Sequence, residues 1–294
     1  MATLTLQIPT INDSRLDFTV LAKIWQDVAK AGNGTNVNFN FSSCGFLRPN
    51  AVVFLGALAR LIQHRGGAPR FLVDTMQSQV SANLLQNGFA YAMGDDTQPW
   101  QGNSIPYREY SQIDKNAIVY SLKNEWLGRG WVNISHDLMN EIAGRMSEIY
   151  VNAFDHSLTP IGVYSCGQHF PNRRELTLAV ADFGVGIPSK VRFQEGEAFA
   201  GADAMRWAFT RGNSTARQIH GPRGMGLDLL KEFVRVNRGR LEIYSHDGYA
   251  CIDSTGEMYE NLPVFFEGTL VQVRLVCDNK LYLLSSEIDS LAFF

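Results

Sequence analysis

Three polar residues between positions 148 and 155 have the spacing of one helical face. Glu148, Asn152 and Asp155 stand at i, i+4 and i+7 within a helix predicted over 134–156. A carboxylate one turn before an amide suits a general base that polarises water beside an oxygen ligand of a metal ion. The solvated face of an amphipathic helix explains the same pattern, and taken alone this segment favours that structural explanation.

A second segment with chemical potential follows a strand predicted over 175–182. Asp182 ends that strand, and Gly184 and Gly186 come just after it. A carboxylate at a strand end can accept a hydrogen bond from an exocyclic amine, while glycines let the backbone approach a flat ring closely. An ordinary turn between a strand and a loop favours the same residue types, so this segment alone is a weak signal.

Two further glycine segments complete the set. Residues 221–226 (GPRGMG) open a helix predicted over 226–236. Glycines at such a position leave backbone N–H groups free at the positive end of the helix, where phosphates bind. The segment matches neither the P-loop nor the dinucleotide-binding fingerprint. Gly268 and Thr269 open the last predicted strand, over 268–276.

In this order, the four segments resemble the N-box, the two glycine boxes and the final Gly-Thr of the GHKL ATPases. That family includes gyrase, heat-shock chaperones, mismatch-repair ATPases, histidine kinases and anti-sigma-factor kinases. The resemblance covers about residues 128–277. It implies an α+β Bergerat fold, in which helices are layered on one mixed sheet, and the binding of ATP and Mg²⁺.

The resemblance also implies roles for individual residues. Asn152 would be the metal ligand, Asp182 would accept from the adenine amine, and Glu148 would be the catalytic residue. Thr269 would support the adenine contact through water, and residues 188–222 would form a lid over the nucleotide. The other candidate ATP-binding residues are Asp155, Gly184, Gly186, Ile187, Arg211, Ser214, Thr215, Arg223, Gly224, Met225, Gly226 and Leu227.

The members of this family use ATP in different ways. The favoured hypothesis is a nucleotide-gated signalling switch that hydrolyses ATP slowly and works through lid closure. One alternative is a serine/threonine protein kinase of the anti-sigma type, which regulates by switching partners. Another is an ATP-dependent component of a bacterial stress or defence system. His136 resembles a histidine-kinase phospho-acceptor, but it shares a predicted helix with Asn152, about 24 Å along the axis. We therefore interpret it as an ordinary helix-start residue.

The first hundred residues predict a separate α/β domain. Strands are predicted over 3–8, 37–41 and 70–73, and helices over 18–30, 51–63 and 80–86. Strands that alternate with helices indicate βαβ units and a parallel sheet. Residues 95–112 lack periodicity and are rich in Asp, Gln, Asn, Gly and Pro, which is typical of an inter-domain connection.

This N-terminal part resembles a STAS domain, the fold of anti-sigma-factor antagonists. The resemblance spans residues 3–93 and rests on the segment 38–47, the helix after it and the strand at 71–73. STAS antagonists carry a phosphorylatable serine at the start of that helix, where this chain has Arg48-Pro49-Asn50-Ala51. Phospho-regulation at that position is therefore not expected. The predicted domains are 1–105, STAS-like, with a linker to about 125, and 126–294, ATP-binding.

Composition limits the class of protein further. The formal net charge of −3 argues against nucleic acid as the main ligand. No apolar run approaches the roughly 18 residues of a membrane span, and the N-terminus does not have the pattern of a signal peptide. The four cysteines form no CxxC pair. We therefore expect a soluble cytoplasmic protein with no membrane partner. The family resemblance implies a protein partner and is compatible with a homodimer.

Overall fold

The computed structural model describes residues 2–100, 102–156, 158–210, 213 and 226–291. Its strands are β1 (Thr3–Gln7), β2 (Asn36–Asn40), β3 (Pro69–Leu72), β4 (Ser104–Tyr110), β5 (Val163–Phe170), β6 (Glu175–Asp182), β7 (Arg240–Asp253) and β8 (Gly256–Val276). Its α-helices are α1 (Arg15–Lys30), α2 (Pro49–His64), α3 (Ser78–Gln86), α4 (Phe89–Ala92), α5 (Lys115–Tyr120), α6 (His136–His156), α7 (Ile187–Glu195), α8 (Gly201–Phe209), α9 (Gly226–Asn237) and α10 (Ser285–Leu291).

The N-terminal strands form a three-stranded parallel sheet in the order β1-β2-β3. Helices α1 and α2 connect these strands, so the predicted α/β arrangement with a parallel sheet is confirmed. Helix α1 begins with a capping box, in which the Ser14 side chain accepts from the backbone N–H of Asp17. Helix α2 begins at Pro49, which lacks the N–H that a first helical turn leaves unpaired.

Helix α2 is buried on nearly all sides because both sheets contact it. It packs on β3 of the first sheet and on β5 and β6 of the second. A helix that is apolar all round its circumference has this environment. At Gly56 the helix comes so close to β4 that an added Cβ would lie 2.1 Å from the Tyr107 hydroxyl oxygen. An added Cβ would therefore force the Tyr107 ring to move, so glycine allows the close approach of α2 to the second sheet.

The second sheet has five strands in the order β4-β5-β6-β8-β7, and every neighbouring pair is antiparallel. The prediction of one mixed sheet is therefore wrong for this part of the chain. Its β5–β6 and β7–β8 pairs are joined by short connections, and a connection of that length allows only antiparallel pairing. The prediction also missed β5, whose first six residues are all buried and show no alternation.

Residues 95–112 are more ordered than a plain connection. Ser104–Tyr110 forms β4, which pairs with β5 at the edge of the second sheet. The interpretation of this whole segment as a linker therefore needs correction. A bulge between Ile105 and Arg108 interrupts the strand register, so the side chains do not alternate regularly. The proposed division into domains near residue 105 stays a prediction.

The two faces of the second sheet have different neighbours. One face packs against α1 and α2 in a core that includes Ala179, Ala181 and Phe183. The opposite face packs under α6 and α9 in a core that includes Leu178 and Val180. Alternate residues of β6 therefore face different layers of the protein. Among the described residues, no helix is both long enough and apolar enough to cross a membrane.

Candidate functional site

Asp182 is the last residue of β6 and lies almost fully buried, with 4% of its surface exposed. Its Oδ1 atom accepts a hydrogen bond from the backbone N–H of Gly184 at 2.9 Å, which closes the turn after the strand. Because Val180 faces the α6 layer, the alternation places Asp182 on that same side. Across the strand pair, Asp182 is in register with Thr269 of β8.

Ser245 is the residue that the sequence interpretation missed. It is fully buried on β7, in register with Thr269, and the two hydroxyl oxygens are 2.8 Å apart. The Ser245 hydroxyl accepts from the backbone N–H of Ile187 at 2.8 Å and lies 3.0 Å from the Gly268 carbonyl oxygen. It therefore connects β8 to the first residue of α7. A lone serine in a strand gives no sequence signal, since only strand pairing brings these partners together.

The structure brings one group of the candidate residues together around this hydroxyl. We call the group the Ser245 cluster, and it consists of Asp182, Gly186, Ile187, Ser245 and Thr269. Gly184, which bonds to Asp182, lies in the adjoining turn. Candidates that are far apart in sequence thus meet where β6 ends, beside interior positions of β7 and β8.

Two glycines allow the close backbone approach inside the cluster. Gly186 has φ 77° and ψ 161°, a region that only glycine occupies readily. A Cβ on Gly186 would lie 2.9 Å from the Gly268 carbonyl oxygen. Gly268 has φ 144°, and its Cβ would lie 2.2 Å from the Asp182 carbonyl oxygen. Both positions therefore require glycine, for reasons of conformation and space together.

Three more of the described candidates lie on helix α6. Asn152 and Asp155 are exposed, and Glu148 is half-buried, which fits the predicted polar face. The Glu148 carboxylate pairs with Arg145 at 3.1 Å, and Arg145 also reaches Glu141 at 3.4 Å. Helix α6 covers the face of the sheet toward which Asp182 points. The three residues on α6 and the Asp182 side chain therefore belong to the same layer of the protein.

The remaining candidates follow α8. Arg211, Ser214, Thr215, Arg223, Gly224 and Met225 lie outside the described residues. Gly226 is the first described residue of α9, and Leu227 is the next. The helix predicted after the glycine segment is therefore present.

Helices α7 and α8, in the proposed lid, are both held to neighbouring elements. Arg192 of α7 pairs with Asp247 at 2.6 Å, and His246 Nδ1 lies 3.0 Å from the other oxygen of that carboxylate. Although burial acts to raise it, the hydrogen bonds from His246 and Arg192 hold the pKa of Asp247 well below its usual range. At the end of α8, Lys231 Nζ donates to the Phe209 carbonyl at 3.0 Å.

His246 itself interrupts the regular sheet. It lies at a bulge in β7 and has φ 52°, which is uncommon for a residue with a side chain. Bulges of this kind redirect side chains next to functional sites. Here the bulge directly follows Ser245 and turns His246 toward a cleft on the other face of the sheet.

No protein-family model matches the chain, and its sequence matches no curated protein.

Proposed function

We propose that the chain binds ATP with Mg²⁺ and acts as a slow ATPase of the GHKL type, whose nucleotide-dependent lid closure works as a switch. The Ser245 cluster is the observation that carries this proposal. It unites Asp182, Gly186 and Thr269, three residues that lie far apart in the sequence but that the family resemblance assigns to the adenine contact. Their meeting supports the resemblance, since sequence order alone did not require it.

The chemistry of the cluster suits recognition of an adenine ring. An ionised carboxylate only accepts hydrogen bonds and has about four lone-pair sites. Asp182, which accepts from the backbone N–H of Gly184, is therefore of the residue type that an exocyclic amine needs as its partner. The glycine at position 186 allows a flat ring to approach the backbone. Thr269 and Ser245 add hydroxyl groups that can orient a bridging water.

Asn152 is the residue that would hold Mg²⁺. This ion keeps several waters and takes few protein ligands when phosphates also bind it, so one amide oxygen on an exposed helical face fits. Within the described residues, no group of three His, Cys, Asp or Glu side chains forms a metal site. The nucleotide phosphates would supply further ligands, and the ion would neutralise part of their charge when bound.

Glu148 would act as the base that orients the attacking water. It stands one helical turn before Asn152, and its ion pair with Arg145 fixes the position of the carboxylate. Glu141 pairs with the same arginine and lies one helical turn before it on α6. The two glutamates therefore have similar surroundings but different distances along the helix from Asn152, which makes Glu141 a matched control.

The output of the switch would be a change in protein contacts. Helix α7, in the proposed lid, carries Phe193 with 90% of its surface exposed. An exposed aromatic residue on an element that moves with the nucleotide would give a partner a surface that depends on ATP. A partner protein is part of this proposal, and a second copy of the chain is one candidate for it.

The test of binding is calorimetric titration of ATP with Mg²⁺ into the wild type, Asp182→Asn and Asp27→Asn. Asp27 is exposed on α1 and serves as the control for the loss of one carboxylate. We expect Asp182→Asn to weaken binding at least about tenfold, because a hydrogen bond to a charged group is lost. Asp27→Asn should leave the affinity unchanged. Absence of binding to the wild type, or equal affinity in all three proteins, would overturn the proposal.

The test of chemistry is phosphate release by the wild type, Glu148→Gln and Glu141→Gln at saturating ATP. We expect Glu148→Gln to slow turnover about a hundredfold while it still binds ATP. Glu141→Gln should stay close to the wild type. Radioactive phosphate that appears on a protein serine, instead of in solution, would favour the kinase alternative over hydrolysis.

A further inference from the structure

An open cleft of about 410 Å³ lies where the ends of α1 and α2 meet the turn after β6. Trp25 and Leu61 line it from the two helices, and Phe183 and Gly184 line it from the turn. From β7, the His246 side chain lines the cleft at the bulge in this strand. The volume falls in the range of small-molecule sites, roughly 300–1,000 Å³.

The cleft and the Ser245 cluster lie on opposite faces of the second sheet. Phe183, which lines the cleft, belongs to the core beneath α1 and α2. Asp182 is its neighbour in the chain and points toward the α6 layer, because successive side chains of a strand face opposite ways. Gly184, an ATP-binding candidate, also lines the cleft, so a compound there would touch the turn but lie on the opposite side of the sheet from the Asp182 side chain.

The inner wall of the cleft is apolar and aromatic. Trp25 and Phe183 are each 4% exposed, and Leu61 is 6% exposed. Because these side chains belong to a packed core, the wall keeps its shape without a ligand. Such a wall suits a flat or bulky apolar group.

Two opposite charges lie at the polar part of the cleft. Arg65 directly follows α2 and is half-buried, and Glu267 is exposed on β8 next to Gly268. Within the part of the chain that the structure describes, neither side chain forms an ion pair with another residue. An unpaired guanidinium and an unpaired carboxylate beside one apolar wall suit a ligand that carries both charges.

We propose that this cleft binds a zwitterionic small molecule with an apolar body, a free α-amino acid with a large side chain. Its carboxylate would pair with Arg65, its ammonium group would pair with Glu267, and its side chain would lie against Trp25 and Phe183. Both charges of the ligand then meet an opposite charge, and its apolar part leaves water. A ligand with only one of the charges would leave Arg65 or Glu267 without a partner.

The test compares L-phenylalanine with two analogues that each lack one charge. N-acetyl-L-phenylalanine has no ammonium group, and L-phenylalaninamide has no carboxylate. We expect L-phenylalanine to bind the full-length wild type with one site, and each analogue to bind about tenfold more weakly, because one charged hydrogen bond is lost. Calorimetry measures the affinities, and circular dichroism of the same samples checks the fold.

Variants of the two charged residues then assign each interaction. In Arg65→Gln, L-phenylalanine and its amide should bind with similar affinity, because the carboxylate has lost its partner. In Glu267→Gln, L-phenylalanine and its N-acetyl form should bind alike for the corresponding reason. Arg70→Gln and Glu232→Gln remove exposed charges that do not line the cleft, and both should bind like the wild type.

Two results would overturn the proposal. One is the absence of L-phenylalanine binding at millimolar concentration in the wild type. The other is binding that both Arg65→Gln and Glu267→Gln leave unchanged. Asp182→Asn should bind L-phenylalanine normally, since its altered side chain faces the opposite layer. Failure of the nucleotide proposal would therefore leave this one standing, and the two can be judged separately.

Discussion

The hydroxyl groups of Ser245 and Thr269 lie 2.8 Å apart, in register across β7 and β8. A hydroxyl has one proton, so when Ser245 donates to the Gly268 carbonyl, Thr269 is the donor in the bond between the two hydroxyls. Ser245 still has a lone pair to accept from the N–H of Ile187. One buried side chain thus fixes the relative positions of the last strand and helix α7.

Replacement of Ser245 by alanine should therefore loosen the start of α7. The change leaves the part-buried N–H of Ile187 without its acceptor, and we expect a loss of about 1–3 kcal/mol in the free energy of unfolding. Urea denaturation measures this loss. Ser43→Ala, at an exposed position in the loop before α2, should change stability by less than about 0.5 kcal/mol. Equal stability of the two variants would contradict the role given to Ser245.

Gly186→Ala should destabilise the protein more than Gly32→Ala does. Gly32 has φ 76° with open space around its Cα, so alanine there meets only the cost of the left-handed backbone, about 1–2 kcal/mol. At Gly186 the new Cβ also meets the Gly268 carbonyl oxygen at 2.9 Å. We expect an additional loss of at least about 1 kcal/mol. Thermal and urea unfolding of both variants measure the difference, and a smaller loss at Gly186 would count against the close approach.

Arg48 should contribute more to the free energy of unfolding than Arg173, which pairs with the same Glu175. The Arg48 guanidinium has a side-chain exposure of 3%, lies 3.5 Å from Asp13 and 3.4 Å from Glu175, and stacks 4.1 Å from the Phe170 ring centroid. Removal of one partner from a buried ion pair costs about 3–5 kcal/mol.

Arg48→Gln should therefore lower the free energy of unfolding by an amount in that range. Arg173 pairs with the same Glu175 but is 60% exposed, so Arg173→Gln should cost at most about 1 kcal/mol. Urea denaturation of the two variants under one set of conditions is the measurement. Because Arg48 bridges the start of α2 to β6, its loss should affect both sheets in one unfolding transition. If one sheet of Arg48→Gln unfolded at a lower urea concentration than the other, the result would argue against this bridge.

Glu242 should make the protein less stable as the pH rises. Burial raises the pKa of this carboxyl, although hydrogen bonding from Tyr249 and the charge of Arg240 oppose the change. Because the folded pKa exceeds the unfolded one, the folded state holds its proton more tightly. The stabilisation is fully present below the unfolded pKa, about 4.3, and is lost as the pH rises through the folded pKa.

The comparison of the wild type with Glu242→Gln isolates this effect. Glutamine does not titrate, so the variant should gain stability relative to the wild type as the pH increases above about 4.3. Urea unfolding at a series of pH values measures the difference. A difference that stays constant with pH, or that moves in the opposite direction, would show that Glu242 does not titrate in this way.

Local patterns in the sequence determined several elements of this protein. The strand predicted over 175–182 is β6 with the same bounds, and the helices predicted over 18–30, 51–63 and 134–156 correspond to α1, α2 and α6. Their apolar periodicity and their end signals depend only on residues that are close in the chain. The same local reasoning placed Asp182 at the end of a strand.

Pairing between distant segments decided the rest. The antiparallel order β4-β5-β6-β8-β7 depends on contacts between residues far apart in the chain, which no local pattern encodes. The sequence interpretation did not detect that β7 continues through a bulge at His246. It likewise began β8 at Gly268, while the strand begins at Gly256.

The Ser245 cluster and the cleft also depend partly on residue types in the sequence and partly on the tertiary structure. The residue types of Asp182, Gly186 and Thr269 indicated their chemistry in the sequence, because carboxylates, glycines and hydroxyls have properties that do not depend on their neighbours. Their meeting around Ser245, and the cleft between Arg65 and Glu267, exist only because β6, β7 and β8 pair beneath α1 and α2. A folded chain brings distant residues together through its hydrogen-bonded sheet and its shared core, and that information lies in the tertiary structure.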